Sequence, residues 1–328
     1  MEELRLELPP EVTAEEARLL LAVKLHEIGR LTVEQAAELA GMSKEAFMEA
    51  LSKYRAPVSA HPSEELRKTV EERKTTLVSS LAKIPLETWN RIVRMEPEWR
   101  NMSGFPERYG FGKFAVLMLT LGLNDFQLKG KAEVAYWPKL KELLEEHGVP
   151  ESPKDLELIL SGFYRNERLP ELKLRRLNRF LSSGLARKLW NVNSSEAARD
   201  FLRIWYELAR TMGQSKDAKT IAFAMKCLGI ALLMVGEVDF DFERIPIPVD
   251  YRIKAFTKRL GLSPAEDDEV REFWGEVLDE LRRRVHINMI HLDSLIWQIG
   301  TLSGSGILEY FAQLGLREVG EEIAEAVG

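Results

Sequence analysis

At 328 residues the chain is too long for one small core and fits one large domain with a small companion. Its 46 Lys+Arg against 52 Asp+Glu, a net charge of -6, exclude a uniformly cationic coat, so any site for a polyanion has to be a local patch. A single cysteine, Cys227, set in an apolar helical stretch, excludes internal disulfides and cysteine-rich zinc sites and fits a reducing compartment. No run approaches ~18 uninterrupted apolar residues, and the N-terminus, Met1-Glu-Glu-Leu-Arg-Leu-Glu, lacks the layout of a signal peptide, so the expectation is a cytoplasmic protein without membrane contact.

In chain order the pattern begins with a short strand, Leu4 to Leu8, then Pro9-Pro10 and a helix from about Thr13, where Thr13-Ala-Glu-Glu16 has the form of a capping box. Apolar positions Leu19, Leu20, Val23 and Leu25 give this helix its buried stripe. Leu31 to Ala40 and Ser43 to Leu51 are two helices separated by Gly41-Met42, the spacing of a helix-turn-helix. The stretch Ala36-Ala-Glu-Leu-Ala-Gly-Met-Ser-Lys-Glu-Ala-Phe47 resembles a family of small, uncharacterised antitoxin-like proteins. A helix that reads DNA bases carries basic and amide side chains, whereas Glu45 and Glu49 stand here beside Lys44 and Lys53, which favours protein contact or packing. Arg55-Ala-Pro-Val-Ser-Ala-His-Pro-Ser63 breaks every periodicity and reads as a linker, giving units 1–60 and 61–328.

From residue 63 onward the pattern is all-α. Helices are expected at about 63–81, 86–94, 108–122, 130–146, 153–163, 168–182, 194–211, 217–235, 250–260, 265–284 and 286–300, with 305–326 as a broken one. Two basic patches stand out. Residues 164–188 hold Arg165, Arg168, Lys173, Arg175, Arg176, Arg179, Arg187 and Lys188 against Glu167 and Glu171, while Tyr251 to Arg259 holds four bases and no acid. Either patch serves equally as a solvated helix face.

Chemistry concentrates between residues 211 and 252. The polar turn Thr211-Met-Gly-Gln-Ser-Lys-Asp-Ala218 precedes an apolar helix that opens on Lys219, and Lys219, Phe223 and Lys226 fall on one helix face. Repulsion and partial burial are expected to lower the pKa of one of these amines, as an attacking lysine requires. Backbone amides of the turn, around Gly213, Gln214 and Ser215, suit a phosphate. Downstream, Ile245-Pro-Ile-Pro-Val-Asp250-Tyr-Arg252 presents Asp250 behind two prolines, with Arg252 following as a phosphate contact. Asp293 and Trp297 share a helix face. His286 and His291 lie nearby, without spacing that suggests a metal site, and neither cofactor nor metal is expected.

Taken together, Asp217-Ala-Lys-Thr-Ile-Ala-Phe-Ala-Met-Lys226, Ile245 to Arg252, Asp293-Ser-Leu-Ile-Trp297, and Trp137 after Gly130-Lys-Ala-Glu-Val-Ala-Tyr136 resemble the archaeal 8-oxoguanine glycosylase/lyase family of helix-hairpin-helix DNA glycosylases. The resemblance covers residues from about 63 to the end. It implies a bifunctional enzyme of base excision repair acting on double-stranded DNA that contains 8-oxoguanine, with Lys219 as Schiff-base nucleophile and Asp250 as its activating acid. By the same resemblance Lys226 and Asp293 line the base pocket and Trp137 and Trp297 supply the stacking rings. Gln127, Asn124 and Asn101 are unranked candidates for further pocket contacts. A glycosylase for another damaged base, or a regulator whose activity resides in residues 1–60, are the alternatives, and the N-terminal unit is the place for a protein partner.

Overall fold

The computed structural model describes residues 9, 12–27, 30–55, 64–262 and 266–328. The expected strand at Leu4–Leu8 and the expected linker beyond Arg55 lie outside the described residues. The chain divides into two compact units, Met1–Lys68 and Thr69–Gly328, and no strand occurs among the described residues.

In the first unit, α1 (Ala14–Glu27), α2 (Val33–Ala40) and α3 (Lys44–Arg55) close over Ala22, Val23, Ala36, Ala37, Phe47 and Leu51. Thr32 and Gln35 form a reciprocal capping box on α2, and Gly41, in the left-handed region at φ 70°, turns the chain into α3. Leu20, expected in the buried stripe of α1, is 44% exposed; Ala22 takes its place because the small residue lets α2 come close. Lys44 bonds back to Glu34 across the turn rather than projecting outward.

The larger unit begins at Thr69, inside α4 (Glu64–Leu81), and goes on through α5 (Leu86–Arg94), α6 (Pro97–Met102), α7 (Phe105–Tyr109), α8 (Phe111–Asn124), α9 (Trp137–Glu146), α10 (Pro153–Tyr164), α11 (Pro170–Leu181) and α12 (Gly184–Leu189). It continues through α13 (Ser194–Arg199), α14 (Phe201–Met212), α15 (Lys219–Met234), α16 (Tyr251–Arg259), α17 (Asp267–Arg282), α18 (Met289–Ile299), α19 (Gly304–Gln313) and α20 (Arg317–Val327). Several of these differ from expectation. α6 and α7 are single turns started by prolines, too short for a periodic pattern, and α12 is equally brief. The expected helix 194–211 divides at Asp200, and the expected 130–146 opens with a π-helical turn, Ala132–Tyr136.

Two helices apolar on all sides, α8 and α15, form the centre of this unit, as uniform hydrophobicity demands. They touch backbone to backbone at Gly122, where a Cβ would meet Ala224 Cα at 2.8 Å and Cys227 Sγ at 2.9 Å. Polar residues at the ends of such a pair have nowhere to go but the same rim. Asp125 follows α8 and Lys219 opens α15, and both line one cavity.

Candidate active site

α14 ends at Gly213, whose left-handed φ of 63° turns the chain back, with Gln214 N–H donating to Ala209 O. The Trp205 indole donates to Lys216 O at 2.8 Å and fixes the turn from below. Gly213 N–H is used inside the turn, and the Gln214 carboxamide accepts from Arg176 at 2.9 Å and from Thr220. The amides of Ser215 and Lys216 have no acceptor among the described residues, and Ser215 is exposed. Of the three turn residues expected at a phosphate, Ser215 therefore presents a backbone donor, while Gly213 and Gln214 shape the turn.

Lys219, exposed at the first position of α15, lines a narrow cavity of about 70 Å³ with Asp250, Asp125, Phe223, Lys226, Glu96, Glu98, Ala132, Pro248, Asp293 and Trp297. Asp250 arrives there because Ile245, Ile247 and Val249 bury alternate side chains of an extended segment, leaving the next residue to cap α16. Its Oδ1 accepts from Arg252 N at 2.8 Å and Ile253 N at 2.9 Å, so one carboxylate oxygen is fixed by the backbone and Oδ2 remains open.

Deeper in, Lys226 is 1% exposed and its ammonium lies 2.6 Å from Asp293 Oδ2 and 3.2 Å from Glu96 Oε1. Burial by itself lowers a lysine pKa, but Asp293, Glu96 and Glu98 outweigh it and the net direction is upward. Lys226 is therefore not the amine whose pKa is lowered, because its neighbours are acids. Three carboxyl groups share this one ammonium. Burial first, and then Glu96, push the Glu98 carboxyl well above the usual carboxylate range, and its buried Oε2 has no hydrogen-bond partner among the described residues. Asp293 is pushed up to about 6 by burial despite Lys226. Asp125 also rises to about 6 through burial, opposed by the Trp137 indole and by the charge of Lys219.

The cavity's aromatic walls are Phe223 and Trp297. Arg252 stacks on Trp297, its guanidinium carbon 3.9 Å from the ring centroid, and pairs with Glu133 at 2.9 Å. It is thereby committed to holding Trp297 in place, not left open for a phosphate as expected. Trp137 also departs from expectation: it is fully buried, packs edge-on against Tyr136 and donates to Asp125 Oδ2 at 3.0 Å, so it presents no face to the cavity. Within the first basic patch, Lys173 is completely buried under Asn124 O at 3.0 Å, and Arg176 binds Leu123 O at 2.9 Å. Both serve the end of α8. Of the pocket candidates, Asn101 bonds to Pro97 O, Asn124 is buried outside the cavity lining with neither amide atom partnered, and Gln127 is exposed. Close by, His291 binds Asn90 and Asn288, and burial lowers its pKa to about 4. No cluster of three or more metal-binding side chains occurs among the described residues.

Glu96, Glu98, Asp125 and Pro248 entered the site without being expected, and Phe223, not Trp137, lines it together with Trp297. For Asp125 the signal was available: it ends an apolar helix as Lys219 begins one. Glu96-Pro-Glu98 starts a one-turn helix between Met95 and Trp99, acid in apolar surroundings. A larger cavity of about 520 Å³ is lined by His286, Asn288, Asn90, His291, Arg282 and Asp239 among others, and shares no residue with the lining of the first.

A model of the AGOG family, described as N-glycosylase/DNA lyase, matches residues 78–322, and one of an uncharacterised protein family (UPF0175) matches residues 3–74. The chain is similar to the N-glycosylase/DNA lyase of Methanopyrus kandleri, 30% identical over 207 residues that cover 62% of this chain and 80% of the relative. It is 27% identical over 239 residues to that of Thermococcus kodakarensis, covering 70% and 85% of the two chains. Among solved structures, the 8-oxoguanine DNA glycosylase of Pyrobaculum aerophilum, complexed with 8-oxoguanosine, superposes with a TM-score of 0.60 at 20% identity over 77% of this chain and 97% of that one.

Proposed function

The chain belongs to the AGOG N-glycosylase/DNA lyase family, and from that premise we propose that it excises 8-oxoguanine from DNA in base excision repair, through a Schiff base on Lys219. What carries this reading is the layout of one cavity: an amine and a half-committed carboxylate at its mouth, two aromatic walls, and polar groups at its floor. A flat base enters this narrow cavity and the sugar stays outside, next to Lys219 and Asp250. Drawing a base from the duplex costs a few kcal/mol, and stacking on Phe223 and Trp297 returns about 1–3 kcal/mol per face.

Nζ of Lys219 attacks C1′ of the sugar and the glycosidic bond breaks, its electron pair leaving with the base, which takes up a proton. The open Oδ2 of Asp250 stabilises positive charge on the sugar while this happens. Asp125, with its pKa near 6, accepts the proton that the new C–N bond displaces from nitrogen. The C1′–O4′ bond then opens as C1′=N forms and O4′ is protonated. Loss of a C2′ proton expels the 3′ phosphate oxygen and cuts the strand.

At the floor, Glu98 reads the lesion. A protonated carboxyl offers an acceptor beside a donor, which suits a ring N7–H next to a ring carbonyl, whereas guanine presents a lone pair at N7. The N-terminal unit, with its acidic second helix, is a protein-contact accessory, and the enzyme works in the cytoplasm.

Borohydride reduction in the presence of 8-oxoguanine duplex should trap the wild-type protein on DNA and leave Lys219→Gln untrapped. No adduct with the wild type, or an adduct that persists in the variant, would overturn the assignment. A panel of duplexes, each with one lesion, tests the choice of 8-oxoguanine over other damaged bases.

A further inference from the structure

Two carboxylates line the cavity with Lys219, and each is held by one oxygen only. Asp250 is fixed at Oδ1 by the backbone amides of Arg252 and Ile253. Asp125 is fixed at Oδ2 by the Trp137 indole at 3.0 Å, and its Oδ1 makes no hydrogen bond to the described residues. A buried indole N–H needs an acceptor, but any acceptor will do. Trp205 and Trp190 settle on the backbone carbonyls of Lys216 and Glu151, and Trp274 on the Thr257 hydroxyl. Trp137 alone among the described indoles meets a carboxylate.

The chain around it aims both partners. Trp137 N–H donates to Ala132 O, five residues back, so the π-helical turn carries one residue more than an α-helical turn and rotates the ring that follows it inward. Tyr136 stands edge-on to that ring at 5.5 Å, its own hydroxyl tied to Leu121 O and to the Tyr164 hydroxyl. Lys173 donates to Asn124 O and Arg176 to Leu123 O, which fixes the backbone that carries Asp125.

Charges bear on Asp125 from every side. Lys219 and Lys173 favour its ionised form, whereas Asp250 and Glu98 oppose it. Glu96 and Asp293, deeper in, are paired to Lys226. The Tyr136 and Tyr164 hydroxyls and the Cys227 thiol also feel Asp125, but burial pushes all three upward and they stay neutral where Asp125 titrates. Burial raises Asp125 to about 6, and the indole is the strongest influence holding it from going higher.

We propose that Trp137 is a positioning residue for the reaction: its indole pins one oxygen of Asp125 so that the other is held toward Lys219, as a fixed acceptor for the proton that leaves the lysine nitrogen. The ring expected to stack on the base thus acts one step behind it. This assignment rests on the lysine glycosylase reading and adds to it the group that keeps the proton acceptor in place.

The test is a double-mutant cycle read by single-turnover excision of 8-oxoguanine from duplex between pH 5 and pH 9. In the wild type the rate should fall as pH drops through about 6, because the acceptor has to be ionised. Trp137→Phe takes a donor away from the ionised form, so this limb should move to higher pH and the rate below it should fall about tenfold, with DNA affinity within about twofold. Asp125→Asn still accepts from the indole and keeps the packing, yet should lose that limb and at least about a hundredfold in rate. In the Asp125→Asn background, Trp137→Phe should slow excision by less than about twofold, since no acceptor is left to position. A ring that merely fills space would slow both backgrounds alike. Should Trp137→Phe lose its cooperative melt, benzothienylalanine in place of Trp137 keeps the bicyclic shape without the N–H and carries the same expectations. A limb unchanged by Asp125→Asn, or equal slowing in both backgrounds, would overturn the proposal alone; a wild type that excises at no pH sinks the glycosylase reading and this assignment with it.

Discussion

Lys219 and Lys226 stand seven residues apart on one helix face, line one cavity, and live under opposite conditions. Lys219 is exposed at the rim, without an ion pair among the described residues, whereas Lys226 is sealed beneath it within reach of three carboxyls. The difference separates reaction from architecture. A nucleophile needs a lone pair and a path to substrate, and a buried ammonium locked between Asp293 and Glu96 has neither. What Lys226 supplies is charge compensation, allowing acids to stand in a dry floor where their hydrogen-bonding pattern is fixed.

Exchanging each lysine should therefore break different things. Lys219→Gln should lower excision and strand cutting by about 10⁴-fold, as loss of a covalent catalyst does, and leave the melting temperature near that of the wild type; comparable loss of stability would mean that the rim amine is structural. Lys226→Met leaves buried carboxyls without their counter-ion and should cost about 3–5 kcal/mol, a fall in melting temperature on the order of 10 °C for a domain of this size. Replacing Asp293 by Leu in the same protein should restore part of it. A melting temperature unchanged by Lys226→Met would refute the compensation argument.

Asp250 sharpens the contrast further, since it belongs to both categories. Its Oδ1 caps α16, its Oδ2 makes no hydrogen bond to the described residues, and the residue lines the cavity. Asparagine at this position can still accept both backbone hydrogen bonds, so Asp250→Asn should unfold within about 1 kcal/mol of the wild type yet excise about 10²- to 10³-fold more slowly. Asp250→Ala should lose the cap as well, by about another 1 kcal/mol. Thermal melts beside single-turnover rates distinguish the two oxygens, and an Asp250→Asn enzyme with full activity would remove the carboxylate from the mechanism.

The same two lysines also show how far the amino-acid sequence could be followed. A charge opening an apolar helix, a polar turn before it and a carboxylate behind prolines are local features, and they placed Lys219 and Asp250 in one cavity. The all-helical architecture was equally local, apart from one-turn helices such as α6 and α7 that periodicity does not register. Tertiary partners were not legible. Lys226 meets Glu96 across 130 positions and Lys173 meets Asn124 across 49, so a base that reads as solvent-facing in a charge run is in fact an internal brace. Trp137 departed from its expected part for a similar reason, whereas Phe223 lines the cavity on the lysine face where it was expected. Only packing decides that Trp137 turns inward to Asp125.

A further expected effect concerns the floor of the cavity. The unfolded chain ionises Glu98 at the ordinary carboxylate value, about 4.3, while the folded protein keeps its proton well above that. Unfolding in this interval releases a proton, so stability declines as pH rises from about 4.3 toward the folded value, and none of this cost is present below it. Glu98→Gln removes the titration and keeps a donor beside an acceptor. Relative to wild type the variant should be indifferent at pH 4 and increasingly more stable as the pH rises above that, with excision of 8-oxoguanine retained across that range. Glu98→Leu should match its stability and lose discrimination between 8-oxoguanine and guanine, since the leucine offers neither a donor nor an acceptor. Melting temperatures measured from pH 4 to pH 9 decide the matter: a wild type that gains stability over Glu98→Gln as the pH rises would show that the floor holds a carboxylate, and the pairing of three acids with one ammonium would have to be redrawn.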